Sequence, residues 1–161
     1  MGMVNIKVRK EVIRCKTCNR LKAFLYLSDF SYGQRLVFLN NATEYAFINL
    51  IEDEYFSNYA DIVKKILLEN SIEFTSEMIN DFVNGTFGVT CDWINGQEVA
   101  FSQQQKKCSF CGSIEFERNM IEPESLIEIE VPLISHANWE RISEAERVKI
   151  VKDKLKSKNI I

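Results

Sequence analysis

Histidine, proline and glycine are scarce in this chain of 161 residues, and each scarcity closes off a class of function. His136 is the only histidine. Most acid–base schemes, and the Cys–His and Ser–His–Asp arrangements, therefore have at most one imidazole to work with. Set before Ala137, Asn138 and Trp139, it reads as a structural residue. The six glycines are scattered, so there is no glycine-rich loop to cradle a phosphate. Two prolines and six glycines also argue against disorder and long flexible linkers. No apolar run approaches the roughly 20 residues that a spanning helix needs. The N-terminus, Met1 to Ile6, lacks an apolar signal region. The expectation is a cytoplasmic protein with no membrane partner, no small-molecule substrate and no enzymatic activity.

What is present is enough for one folded body. Hydrophobic residues make up 46% and charged residues 27%, with eleven Phe, five Tyr and two Trp as core material. A single domain over 1–161 is expected. The net charge is only −3, but it is unevenly spread. Lys7, Arg9, Lys10, Arg14, Lys16, Arg20 and Lys22 face Glu11 alone in the first 25 residues, a local +6. Residues 44–82 hold nine acids against Lys64 and Lys65, a local −7. A basic start and an acidic middle can steer different partners.

Four of the five cysteines fall in two copies of one device, Cys15-Lys16-Thr17-Cys18 and Cys108-Ser109-Phe110-Cys111. Four thiolates are what a closed tetrahedral zinc site takes. In a reducing compartment such paired spacing reads as metal rather than disulfide. Asn19 and Gly112 follow the pairs, and these residue types most readily adopt the left-handed backbone of a tight sulfur-presenting turn. One structural zinc is the expected cofactor, with iron the alternative that spacing leaves open. The fifth cysteine, Cys91, lies among Phe87, Val89 and Trp93 and reads as a buried strand residue without a basic neighbour to activate it.

Hydrophobic period places these pairs. Val4, Ile6 and Val8 alternate with polar residues, as in a half-buried strand, and residues 21–27 form its partner. The first pair thus sits at a hairpin tip. Ser31-Tyr32-Gly33 reads as a turn, 34–39 as a strand, Asn40-Asn41 as a tight turn and 43–50 as a strand. A helical stripe follows on Tyr55, Tyr59, Ile62 and Ile66, with Glu52, Asp53 and Glu54 at its positive end. A shorter helix is expected over 76–83, closed by Asn84-Gly85. Strands are then expected over 87–94 and 97–101 around Asn95-Gly96. The second continues through Gln103-Gln104-Gln105 into the second pair, with a strand over 114–120 leaving it. An alternating strand at 126–131 and a helix begun by the Ser143–Glu146 capping box complete the chain.

The paired knuckles resemble the strand–knuckle–strand units of zinc ribbons and rubredoxin-like folds over residues 4–27 and 106–120. A compact ribbon separates its pairs by roughly 15–20 residues, whereas here residues 19–107 intervene. The resemblance implies a split four-cysteine ribbon in an α+β fold of antiparallel hairpins. An αβ insertion would occupy 34–101 and a C-terminal strand and helix 126–158. The ligands would be Cys15, Cys18, Cys108 and Cys111. In size and acidity the chain also looks like bacterial immunity proteins, which bind and block a toxin. That likeness implies a non-catalytic protein-binding module that docks a basic protein, such as a toxin domain, through Asp53, Glu54, Asp61, Glu77 and Asp81, with Glu73 beside them. The alternative is a nucleic-acid-binding ribbon using Lys16, Arg20, Lys22, Lys106 and Lys107.

Overall fold

The computed structural model describes residues 2–28, 32–102 and 106–161 as a mixed α+β fold. Strand β1 (Met3–Arg14) is the longest and the centre of the first sheet, with β2 (Leu21–Leu27) on one side and β6 (Ser125–Pro132) on the other, both antiparallel. Arg14 opposite Leu21 closes the β1–β2 hairpin, so the first cysteine pair lies at its tip. The β6 pairing covers only Met3 to Lys10. Beyond it the same edge of β1 is taken by residues 115–121, through Ile121 N to Val12 O, Glu117 N to Arg14 O and Lys16 N to Glu115 O, at 2.9, 2.9 and 3.0 Å. This chain runs antiparallel to β1 but is irregular, with a single bridge of Phe116 to Cys15 in place of the expected strand over 114–120. It is what carries the second knuckle to the first.

The second sheet has the order β4-β3-β5, from β3 (Gln34–Leu39), β4 (Tyr45–Asn49) and β5 (Val99–Ala100). It is apolar on both faces, which is why β3 and β4 read as nearly continuous hydrophobic runs. Leu36, Phe38, Tyr45 and Phe47 pack against Val4, Ile6, Leu25, Leu27, Ile129 and Val131 of the first sheet. Val37, Leu39, Ala46 and Ile48 turn the other way, into the main core. Sheet, sheet and helices therefore form three layers.

The helical layer comprises α1 (Glu54–Glu69), α2 (Ser76–Thr86), a short α3 (Ala137–Arg141) and α4 (Glu144–Ser157). Tyr59, Ile62, Val63, Ile66 and Leu67 put the apolar stripe of α1 in the core, joined by Val151 and Leu155 of α4 and by Trp139. Burying each such aliphatic side chain is worth about 1.5–3 kcal/mol. Caps fix the helix starts: Thr75 Oγ1 accepts from Met78 N at 3.1 Å, and Ser143 Oγ from Glu146 N at 3.2 Å. Asp92, outside any helix, accepts the Ala137 and Asn138 amides at 2.8 and 2.9 Å and so caps α3. Burial raises the Asp92 pKa, but those amides and the Ser135 hydroxyl outweigh it and hold the carboxyl below its ordinary value. No helix among the described residues is long and apolar enough to cross a membrane.

Three sequence-based expectations are corrected around residue 87. Helix α2 does not stop at Asn84-Gly85, because Thr86 beyond them is anchored: its hydroxyl donates to Phe82 O and accepts from Tyr59 Oη, both at 2.8 Å. Residues 87–90 form a 3₁₀ turn rather than a strand, and Cys91 follows in irregular chain. Phe87, with no exposed surface, sits edge-on among Phe56, Tyr59 and Phe101, and that packing overrides strand propensity. The Asn95-Gly96 turn is present, with φ of 50° and 72° and reciprocal 2.9 Å bonds between Ile94 and Gln97. It is followed by β5, which pairs with β3 instead of 87–94. The expected strand continuation at 103–105 and residue Ser31 of the expected turn lie outside the described residues.

Candidate metal centre

The two cysteine pairs have the same local geometry. In the first, Asn19 N donates to Cys15 O at 3.0 Å and Cys15 N to Arg20 O at 2.9 Å; in the second, Gly112 N donates to Cys108 O and Cys108 N to Ser113 O, both at 2.8 Å. Asn19 and Gly112 take φ of 63° and 76°, the left-handed backbone expected of them. That reversal lets two sulfurs three residues apart point to one side of each loop.

The pairs then face each other. Sγ of Cys15 lies 3.6 Å from Sγ of Cys111, Sγ of Cys18 lies 3.6 Å from Sγ of Cys108, and all four sulfurs fall within 4.8 Å of one another. None is in a disulfide. Four sulfurs each about 2.3 Å from a central ion, at tetrahedral angles, stand about 3.8 Å apart. The arrangement could hold one metal ion. Cys15 and Cys108 are buried, Cys18 is half-buried and Cys111 exposed, so the centre opens to solvent on one corner.

The electrostatics fit a cation. The Cys18 amide is the largest influence on Cys15 and lowers its pKa, against burial and with help from the Thr17 amide. Burial pushes the Cys108 thiol up, but the Cys111 and Phe110 amides and the Cys18 and Cys111 thiols outweigh it and bring it to about 6. Cys111 goes the other way. The Ser113 amide lowers it, yet burial and the three facing thiols carry it to about 11. Packed thiols thus share protons between them, whereas a bound dication takes all four as thiolates.

Polar contacts close the two loops on each other. Thr17 Oγ1 donates to Ser113 Oγ at 2.8 Å, and Lys22 Nζ to Ser109 Oγ at 2.6 Å. The Arg20 guanidinium lies 4.3 Å over the ring of Phe110, with Lys22 Nζ at 5.7 Å. Phe110 itself is missed by sequence reasoning, although it occupies the variable part of the second pair. It is 57% exposed, so this cation–aromatic stack stands at the surface of the centre.

The other candidate residues are dispersed. Lys16 and Lys107 are exposed near the clasp. Lys106 is not free, since its Nζ is 2.7 Å from the Glu11 carboxylate and lies over the Phe24 and Tyr26 rings. Glu54 and Asp61 on α1, Glu73 before α2, and Glu77 and Asp81 on α2 are exposed. Asp53 departs from the acidic face proposed for it. Its Oδ1 accepts from Tyr55 N and Phe56 N at 2.9 and 3.1 Å, capping α1, and its Oδ2 is 2.7 Å from His136 Nε2. The side chains of His136 and Asp53 are 4% and 10% exposed. His136 Nδ1 meets Thr90 Oγ1 and O, each at 3.0 Å, and its ring packs on Tyr55 and Phe87. Cys91 is buried beside it, and burial pushes its thiol up to about 12, which leaves it inert.

No protein-family model, curated protein or solved structure matches this chain.

Proposed function

We propose that the chain is a non-catalytic, zinc-stabilised module that binds a basic protein through an acidic helical face, as immunity proteins bind toxins. One zinc held by Cys15, Cys18, Cys108 and Cys111 would be structural, because four thiolates leave no open position for a substrate. The observation that carries the binding role is that Glu54, Asp61, Glu73, Glu77 and Asp81 are exposed on two consecutive helices and the loop that joins them. None of them is in an ion pair among the described residues. Unpaired charge of one sign steers an oppositely charged partner and rejects wrong ones. The engagement of both nitrogens of the one histidine supports the non-catalytic reading.

The test compares the parent chain with Glu54→Lys/Asp61→Lys/Glu77→Lys/Asp81→Lys. These positions are on the surface, so the circular dichroism spectrum should be unchanged. Association of the parent with its basic partner should slow steeply as salt rises, and the variant should associate at least about tenfold more slowly at low salt. Equal rates would remove the acidic face.

A second reading rests on Phe110. An exposed ring beneath Arg20, with Lys16 and Lys107 nearby, is a small platform on which a base of single-stranded nucleic acid could stack. Such a contact is worth about 1–3 kcal/mol per base. Phe110→Ala should then weaken binding of a labelled single-stranded oligonucleotide about fivefold or more at low salt. If the parent leaves that oligonucleotide unshifted, the platform has no such role.

A further inference from the structure

Resting on the acidic-face reading, we propose that the outer side of α2 and the end of α4 seat a basic amphipathic segment of the partner. One of its apolar side chains enters a groove over Met78, Phe82 and Ile160, and its lysines or arginines meet Glu77 and Asp81. The groove is shallow, about 480 Å³, and is lined by those five residues with Thr75 and Lys158.

The geometry follows from helical spacing. Met78 and Phe82 are four residues apart on α2, as are Glu77 and Asp81, so an apolar row and an acidic row run side by side along one helix. Ile79, Phe82 and Val83 are all committed to the core, so Phe82 is the floor of the groove and half-buried Met78 and Ile160 are its apolar walls. Next along the chain, a second depression of about 570 Å³ is lined by Leu68, Ile72 and Phe74 with exposed Glu73 at its edge. Leu68 is 68% exposed and forms the open apolar wall of this depression. Apolar seats flanked by carboxylates thus recur at both ends of the 71–75 loop.

Charge complementarity selects the occupant. The carboxylates of Glu73, Glu77 and Asp81 have no cationic partner among the described residues. The one cation on the rim, Lys158, is the C-cap of α4, where the negative helix end offsets it. A second copy of the chain in a two-fold contact would bring two acidic rims together, with one Lys158 on each to offset Glu77 and Asp81. A segment with apolar anchors between positive residues satisfies both rows at once.

The experiment titrates the isotopically labelled full chain with three peptides, followed by amide shifts. One is an amphipathic helix of leucine and lysine, one an oligolysine of equal charge, and one the leucine–glutamate counterpart. The leucine–lysine peptide should bind at least about tenfold more tightly than oligolysine, with shifts centred on residues 75–82 and 158–161. Met78→Ser and Ile160→Ser should each cut that preference and leave oligolysine unaffected. Ile160 near the chain end keeps the test valid should the Met78 variant fold poorly. Equal affinity for the two cationic peptides would overturn the groove and leave the acidic face standing. Comparable binding of the leucine–glutamate peptide would overturn the charge selection. Failure of both cationic peptides would overturn groove and acidic face together. Dimerisation of the parent that either serine variant abolishes would assign the groove to a second copy and overturn the proposal.

Discussion

Cys108→Ser and Cys15→Ser variants are expected to purify without metal and to melt well below the parent chain, whereas the parent should carry one equivalent of metal, zinc on the proposed reading. Structural zinc contributes about 10–16 kcal/mol in zinc-finger peptides at neutral pH, against a net stability of about 5–15 kcal/mol for a whole domain. Much of that free energy would be spent ordering the clasp itself. The main core contains no residue of either knuckle, so it should survive metal loss. If about 4 kcal/mol is felt globally, the melting temperature falls by roughly 8–16 °C at this chain length. A chelator at elevated temperature should reproduce the shift. So should acid, because protons compete with the metal for the four sulfurs and stability is lost as the pH falls. Hydrogen exchange should locate the damage, with protection vanishing over 11–24 and 108–121 while α1 stays protected. Cys111→Ser should do less harm to packing, since Cys111 is exposed where Cys15 and Cys108 are buried. A parent chain free of metal, or a Cys108→Ser variant with an unchanged melting temperature, would sink the clasp.

What could be read from the residues was whatever they encode locally. Two sulfurs three positions apart, followed by Asn19 or Gly112, specify a knuckle without help from the rest of the chain, and the positive φ values agree. The stripe of α1 and the Ser143 cap are local in the same sense. The route by which the knuckles meet is not local. Residues 115–121 reach β1 only because β6 leaves its far edge uncovered beyond Lys10, and no periodicity records that. The run from Phe87 misleads for a related reason. Its aromatic and β-branched residues suit a strand, but Phe87 is held by rings from Phe56, Tyr59 and Phe101, and that contact decides the backbone. Asp53 shows both sides at once. Its place at a helix start was evident, while the second carboxylate oxygen answers to His136, 83 positions away.

That divided carboxylate gives the second large effect. Asp53→Ala is expected to destabilise the chain by about 2–4 kcal/mol, although its neighbour Glu54→Ala should fall within about 0.5 kcal/mol of the parent. Losing the cap on Tyr55 N and Phe56 N accounts for about 1 kcal/mol. The larger part comes from His136 Nε2, which would be left without its partner in a site where the side chain is 4% exposed. Asp53→Asn keeps an oxygen for the α1 amides and should recover the cap contribution alone. The pairing is separable from the cap by a double-mutant cycle with His136→Ala, read by chemical denaturation. A coupling energy of about 1–3 kcal/mol between the two positions is expected. Independent effects, or an Asp53→Ala variant as stable as the parent, would mean that the contact does not hold α1 to the 3₁₀ turn at Thr90. The distinction reaches the proposed acidic face as well. Reversal of Asp53 should abolish partner binding by unfolding the start of α1, so only Glu54, Asp61, Glu77 and Asp81 can report on the acidic surface itself.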